Sequence, residues 1–182
     1  MLLGGVIDYG EINRNLFWIR PNYVDTVYST SDWTDVRPYY IIQRNNRAAD
    51  YAWSVRMKVG DITREDAERE QLCNVYALKS GLLFNYLFNP KQQGAGFCPA
   101  NGKSKTISRL FKNDIDSYCP SIDLWQAIAY KTLYQKEDYL YLLIDAFKFF
   151  EEGAKPPFPD LKEDSNPVLV KLKLKNGKRR YV

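Results

Sequence analysis

Histidine is absent from all 182 residues. That excludes imidazole acid–base catalysis, Ser–His and Cys–His nucleophile pairs, and every metal site that needs a His ligand. Cysteine is scarce. Cys73, Cys98 and Cys119 are odd in number and lie 25 and 21 residues apart, which fits neither a disulfide framework nor zinc-ligand spacing. A reducing cytoplasm is the expected compartment. Long apolar runs are missing as well. The most apolar stretch, Tyr139 to Phe150, is 12 residues long and contains Asp145 and Lys148, short of the ~20 that span a bilayer. Met1 to Ile7 has no basic n-region and meets Asp8 before an apolar core forms, so neither a signal peptide nor a membrane partner is expected.

Aromatic residues, by contrast, are abundant: 14 Tyr, 9 Phe and 4 Trp make up 15% of the chain. Positive charge is concentrated. Lys171, Lys173, Lys175, Lys178, Arg179 and Arg180 fall within ten positions that hold no acid, and they account for the basic balance of a chain with 26 basic and 22 acidic residues. An argument for a polyanionic partner therefore rests on that end of the chain.

The patterning predicts an α+β protein. A small antiparallel, aromatic-rich sheet is expected over about 1–60, a helical body over about 62–151 and a C-terminal β-hairpin over about 168–182. In domain terms this is one unit over 1–152, a proline-containing linker over 153–167 and the basic hairpin. Tyr51, Trp53, Val55, Met57 and Val59 alternate with polar residues as a half-buried strand does, and Pro38 to Arg44 is a second β-type run. Leu16–Ile19 and Tyr23–Tyr28 are weaker strand candidates. Thr63 reads as a helix N-cap, and Leu72, Val75, Tyr76, Leu83, Tyr86 and Leu87 follow at helical spacing until Asn89–Pro90. Residues 90–105, rich in Gly and Pro, read as a long loop. A short helix is expected from Thr106, and a long helical region from Ser121 through Phe150. Val168, Val170, Leu172 and Leu174 alternate with lysines ahead of Asn176–Gly177, a strong hairpin signal.

Several residues invite a chemical reading. Gly96 to Ser104, followed by a helix-like segment, resembles the phosphate-binding loop of P-loop nucleotide hydrolases, and Tyr139 to Asp145 resembles that family's apolar strand with its magnesium-binding Asp. The resemblance implies nucleotide hydrolysis through Gly102, Lys103 and Ser104. Here five residues separate Gly96 from Gly102, where the family has four, and an ordinary loop is the simpler reading. Asp114, Asp116 and Asp123 offer oxygen ligands for magnesium, but their place between predicted helices suits capping. Cys98 would need Lys103 or a helix N-terminus to become reactive. No metal or other cofactor is expected.

The basic hairpin is the strongest signal. If the strand forms, Lys171, Lys173 and Lys175 stand on one face about 6.6 to 7 Å apart, close to the phosphate repeat of a single strand. Edge protection by lysine is the plainer alternative. In the first sixty residues Arg44, Arg47 and Arg56, with Arg14, Arg20 and Arg37, are interleaved with aromatics, as on surfaces that stack bases. The expected function is non-catalytic binding to a large partner, nucleic acid or a nucleoprotein complex, in the style of a small phage or mobile-element modulator or inhibitor. An acidic protein surface is the other anionic partner. A virion or connector subunit whose tail contacts its neighbours, in a homo-oligomer, is the structural alternative, and an enzyme built on the phosphate-binding loop the third.

Overall fold

A computed structural model describes residues 7–43, 48–61, 63–88, 92–100, 105–107, 110–111, 122–151 and 156–173. The described chain is mostly β, which overturns the expectation of a helical body. Strands β1 (Ile7–Asn13), β2 (Leu16–Pro21), β3 (Thr26–Thr30) and β4 (Val36–Ile41) form an antiparallel meander. Helix α1 (Tyr51–Val59) and a 3₁₀ turn (Asp66–Glu68) lead to a second meander, β5 (Glu70–Leu78), β6 (Gly81–Phe88), β7 (Gln92–Pro99) and β8 (Lys105–Ile107). The short strands β9 (Leu110–Phe111) and β10 (Ile122–Asp123) pair with each other. Helix α2 (Leu124–Ala129) precedes a three-stranded antiparallel sheet of β11 (Tyr134–Lys136), β12 (Tyr139–Ile144) and β13 (Val168–Leu172).

The second meander is the middle layer, and its strands divide their side chains between two cores. Val75, Ala77 and Leu82 pack with Ile12, Trp18 and Val27 of the first meander. Tyr76, Leu78, Leu83, Ala95 and Phe97 point the other way, onto α2 and onto Leu140, Leu142, Ile144 and Leu172 of the third sheet. Residues 73–78 are accordingly all buried. A strand covered on both faces loses the apolar–polar alternation of a half-exposed one, so β5 and β6 present a continuous apolar run whose accidental 3.6 spacing reads as helix.

The reverse error occurs at 51–59. The alternation there suggests a strand, but the segment is α1. Asp50 accepts a hydrogen bond from the Trp53 N–H at 2.7 Å as N-cap, and Gly60 ends the helix in the left-handed region, its N–H reaching the Arg56 carbonyl. Thr63, expected to start a long helix, lies ahead of a single 3₁₀ turn and exchanges bonds with its first residue: its hydroxyl accepts from the Asp66 N–H while Asp66 Oδ2 accepts from the Thr63 N–H. The long helix expected through Phe150 is instead α2, β11, β12 and a 3₁₀ turn at Ala146–Phe150. The expected loop over 90–105 contains β7, and β8 is strand at the start of the segment expected to be a short helix.

Candidate tyrosine–lysine platform and adjoining groove

The third sheet has one buried and one open face. Leu140, Leu142 and Ile144 of β12 enter the core, as do Gln135 of β11 and Leu172 of β13. Alternation sends Tyr134 and Lys136, Tyr139, Tyr141 and Leu143, and Leu169, Lys171 and Lys173 to the opposite face. Cross-strand register aligns them: Tyr134 lies opposite Tyr141, Lys136 opposite Tyr139, Tyr141 opposite Lys171, and Leu143 opposite Leu169. None of these eight residues is acidic; the exposed Asp145, next in the same alternation, lies just past the end of β12.

The lysines lie over the rings. Lys171 Nζ sits 3.8 Å from the Tyr139 centroid and 5.8 Å from that of Tyr141, and Lys173 Nζ lies 5.5 Å from Tyr139. Each such contact at an exposed site is worth about 0.5–1 kcal/mol. That suffices to hold the ammonium groups above the sheet and is small enough for an anion to draw them away. The two-residue turn Glu137–Asp138, with Glu137 in the left-handed region, carries the nearest acids in sequence. Asp138 is occupied, since its Oδ1 accepts from the N–H and hydroxyl of Ser80 at 3.0 and 2.8 Å.

Beside this platform, a groove of about 410 Å³ opens between β1, β2, β5 and β11. Its walls are Tyr9 (75% exposed), Phe17 stacked on Trp33 at 6.0 Å, and Tyr134 (63% exposed). Trp33 is 61% exposed and has φ of +67°, a backbone state that is strained for a bulky side chain and concentrates at functional sites. The floor is polar and, apart from Asn74 Oδ1, which is buried without a partner, tied down. Asp8 Oδ2 accepts from Arg20 Nη1 at 3.1 Å and from the Val75 N–H at 3.2 Å, while Oδ1 accepts from Asn74 Nδ2 at 3.2 Å and faces Lys131 Nζ at 3.4 Å. Gln135 receives the Trp18 indole N–H on Oε1 at 3.0 Å and donates from Nε2 to the carbonyls of Glu11 and Ala77. One amide thus joins the three larger sheets. Tyr134 belongs to both features, its ring centroid 6.4 Å from that of Tyr141.

The sequence-derived site residues separate in this structure. Lys171 and Lys173 come together on the platform. Arg56, its side chain 36% exposed, is held by the buried Asp66, donating from Nε at 3.0 Å and Nη2 at 2.6 Å. Arg20, one of the interleaved arginines, is buried against Asp8, and Arg37 pairs with Asp35. Lys175, Lys178, Arg179, Arg180, Arg44, Arg47, Gly102, Lys103 and Ser104 lie outside the described residues, as does the return strand of the expected C-terminal hairpin. Gly96 is a strand residue opposite Phe84, and Asp145 follows the antiparallel strand β12. Cys73 is buried, which pushes its thiol up to about 12 and makes it unreactive. Among the described residues no cluster of three or more His, Cys, Asp or Glu has metal-binding geometry, and no helix is long and apolar enough to cross a membrane.

Sequence reasoning missed Tyr134, Tyr139 and Tyr141, having assigned them to a core helix. The signal was present in the alternation of Tyr139 and Tyr141 with Leu140, Leu142 and Ile144. No protein family, curated protein or solved structure matches the chain.

Proposed function

We propose that this chain is a non-catalytic binding protein and that the open face of its third sheet holds single-stranded nucleic acid. The observation that carries the reading is the composition of that face: three tyrosines with Lys136 and Lys171 on aligned strands and Lys173 just past β13, against the single acid Asp145 just past β12. Bases stack on aromatic rings whatever their identity, for about 1–3 kcal/mol each, while lysines spaced along strands neutralise phosphates. A base laid on Tyr139 moves Lys171 aside and forfeits a contact worth about 0.5–1 kcal/mol. Stacking exceeds that, and the freed ammonium gains a phosphate.

Fluorescence anisotropy with labelled single-stranded DNA and RNA tests this. Tyr139→Ala and Tyr141→Ala should each weaken binding by roughly tenfold, in line with the loss of one stacked base, with the circular dichroism spectrum unchanged. Absence of binding to either strand type, or tyrosine variants that bind as the parent does, would refute the reading.

A further inference from the structure

The adjoining groove has a floor whose polar groups are engaged apart from Asn74 Oδ1, a buried acceptor without a partner, and uncovered aromatic walls, and this asymmetry restricts what it can hold. Both Asp8 oxygens, both functional ends of Gln135 and the Trp18 indole N–H are engaged within the protein. A guest that needed base-edge or sugar hydroxyl recognition from the floor would compete with those bonds. Tyr9, Trp33 and Tyr134, in contrast, keep most of their surface open to solvent. They suit a flat π-system that gains by stacking and asks little of the floor.

We propose that the groove receives one unstacked nucleobase of the strand held on the tyrosine–lysine platform, stacked among Trp33, Tyr9 and Tyr134. The inference rests on the function proposed above and names the place where the strand leaves the platform. Two observations support it. Tyr134 lines the groove and also stands opposite Tyr141, so a strand can pass from platform to groove without leaving aromatic surface. A volume of about 410 Å³ lies in the lower part of the range for ligand pockets, about 300–1,000 Å³, as a single-nucleotide guest requires. Charge near the groove does not oppose a strand. Lys131 and the buried Arg20 offset Asp8 within the groove, and Lys136, Lys171 and Lys173 supply cations on the platform. Asn74 Oδ1 aside, the floor groups are already engaged, so stacking dominates and the groove discriminates weakly between bases.

The test is photocrosslinking of the full chain to a single-stranded oligonucleotide carrying 5-iodouridine, with adducts located by mass spectrometry. The expected result is adducts on Trp33 or Tyr9 as well as on Tyr139 or Tyr141, and a roughly tenfold weaker affinity for both Trp33→Ala and Tyr9→Ala. Both side chains are exposed, so these variants keep the fold. Adducts confined to the platform, with parental affinity in the Trp33 and Tyr9 variants, would overturn the groove assignment and leave the platform reading standing. No binding to the oligonucleotide would overturn both.

Discussion

Asp8 is held by two cations of unequal burial, and the difference decides what each contributes. Arg20 has a side chain 0% exposed, whereas that of Lys131 is 41% exposed. Removing the carboxylate strands the guanidinium in the interior, so Asp8→Ala should cost about 3–5 kcal/mol. Lys131→Met, losing a hydrated partner, should cost less than about 1 kcal/mol; urea denaturation of the two variants separates them. Asp66 sets the pH response at a second site. Its hydrogen bonds from Arg56, and then those from Thr63, hold the carboxyl below its ordinary value. A depressed carboxyl stabilises the fold fully above the unfolded value near ~3.9 and less as pH falls below it. The denaturation midpoint should therefore drop between pH 5 and pH 3 by more in the parent than in Asp66→Asn. Equal drops would dissociate Asp66 from acid sensitivity. Neither pair was legible in the sequence, where Arg20 and Arg56 counted as cations free for a partner. Their carboxylates lie 12 and 10 residues away, at separations that no local rule couples.

At the scale of elements, the legible strands were those with one face exposed. The β2, β3 and β4 regions read correctly as β, and β13 kept the alternation of its lysines. Even there a detail departs from regular alternation, which sends neighbours to opposite faces: Tyr39 and Tyr40 both pack on the first core with rings 4.6 Å apart, because a register shift opposite Val27 and Tyr28 turns the strand between them. β7 was hidden by its glycines. Gly94 and Gly96 face Tyr86 and Phe84 across the ladder, and a Cβ at either position would collide with the ring lying over it. These glycines make room for aromatics within a sheet and do not mark a loop. Gly81 differs, since it has φ of +150° and a Cβ there would strike the Cys98 carbonyl, which is backbone and cannot move aside. Gly81→Ala should destabilise by about 3 kcal/mol or more and Gly96→Ala by about 1–3 kcal/mol, since a ring can shift. Thermal unfolding checks the order, and a Gly96 variant worse than the Gly81 variant would contradict this account of the β6–β7 pair.

At the scale of the molecule, the three larger sheets of the described residues stack and leave the last one half-covered, and the composition of its open face follows from that position. The same β12 that sends Leu140, Leu142 and Ile144 inward must send Tyr139 and Tyr141 outward, beneath the lysines of β13. The charge concentration near the C-terminus was visible in the sequence; the tyrosines that complete the platform were not, because their strand was taken for helix. The central claim is that Lys171 and Lys173 meet phosphates of a single strand on this face. The most direct measurement is the salt dependence of oligonucleotide affinity for the parent and for Lys171→Ala/Lys173→Ala. Each lysine that displaces a counterion contributes about 0.7 to the slope of log K against log salt for a single strand, so the double variant should be shallower by about 1.4. A parent that does not bind at low salt, or a slope that the double variant leaves unchanged, would contradict the claim.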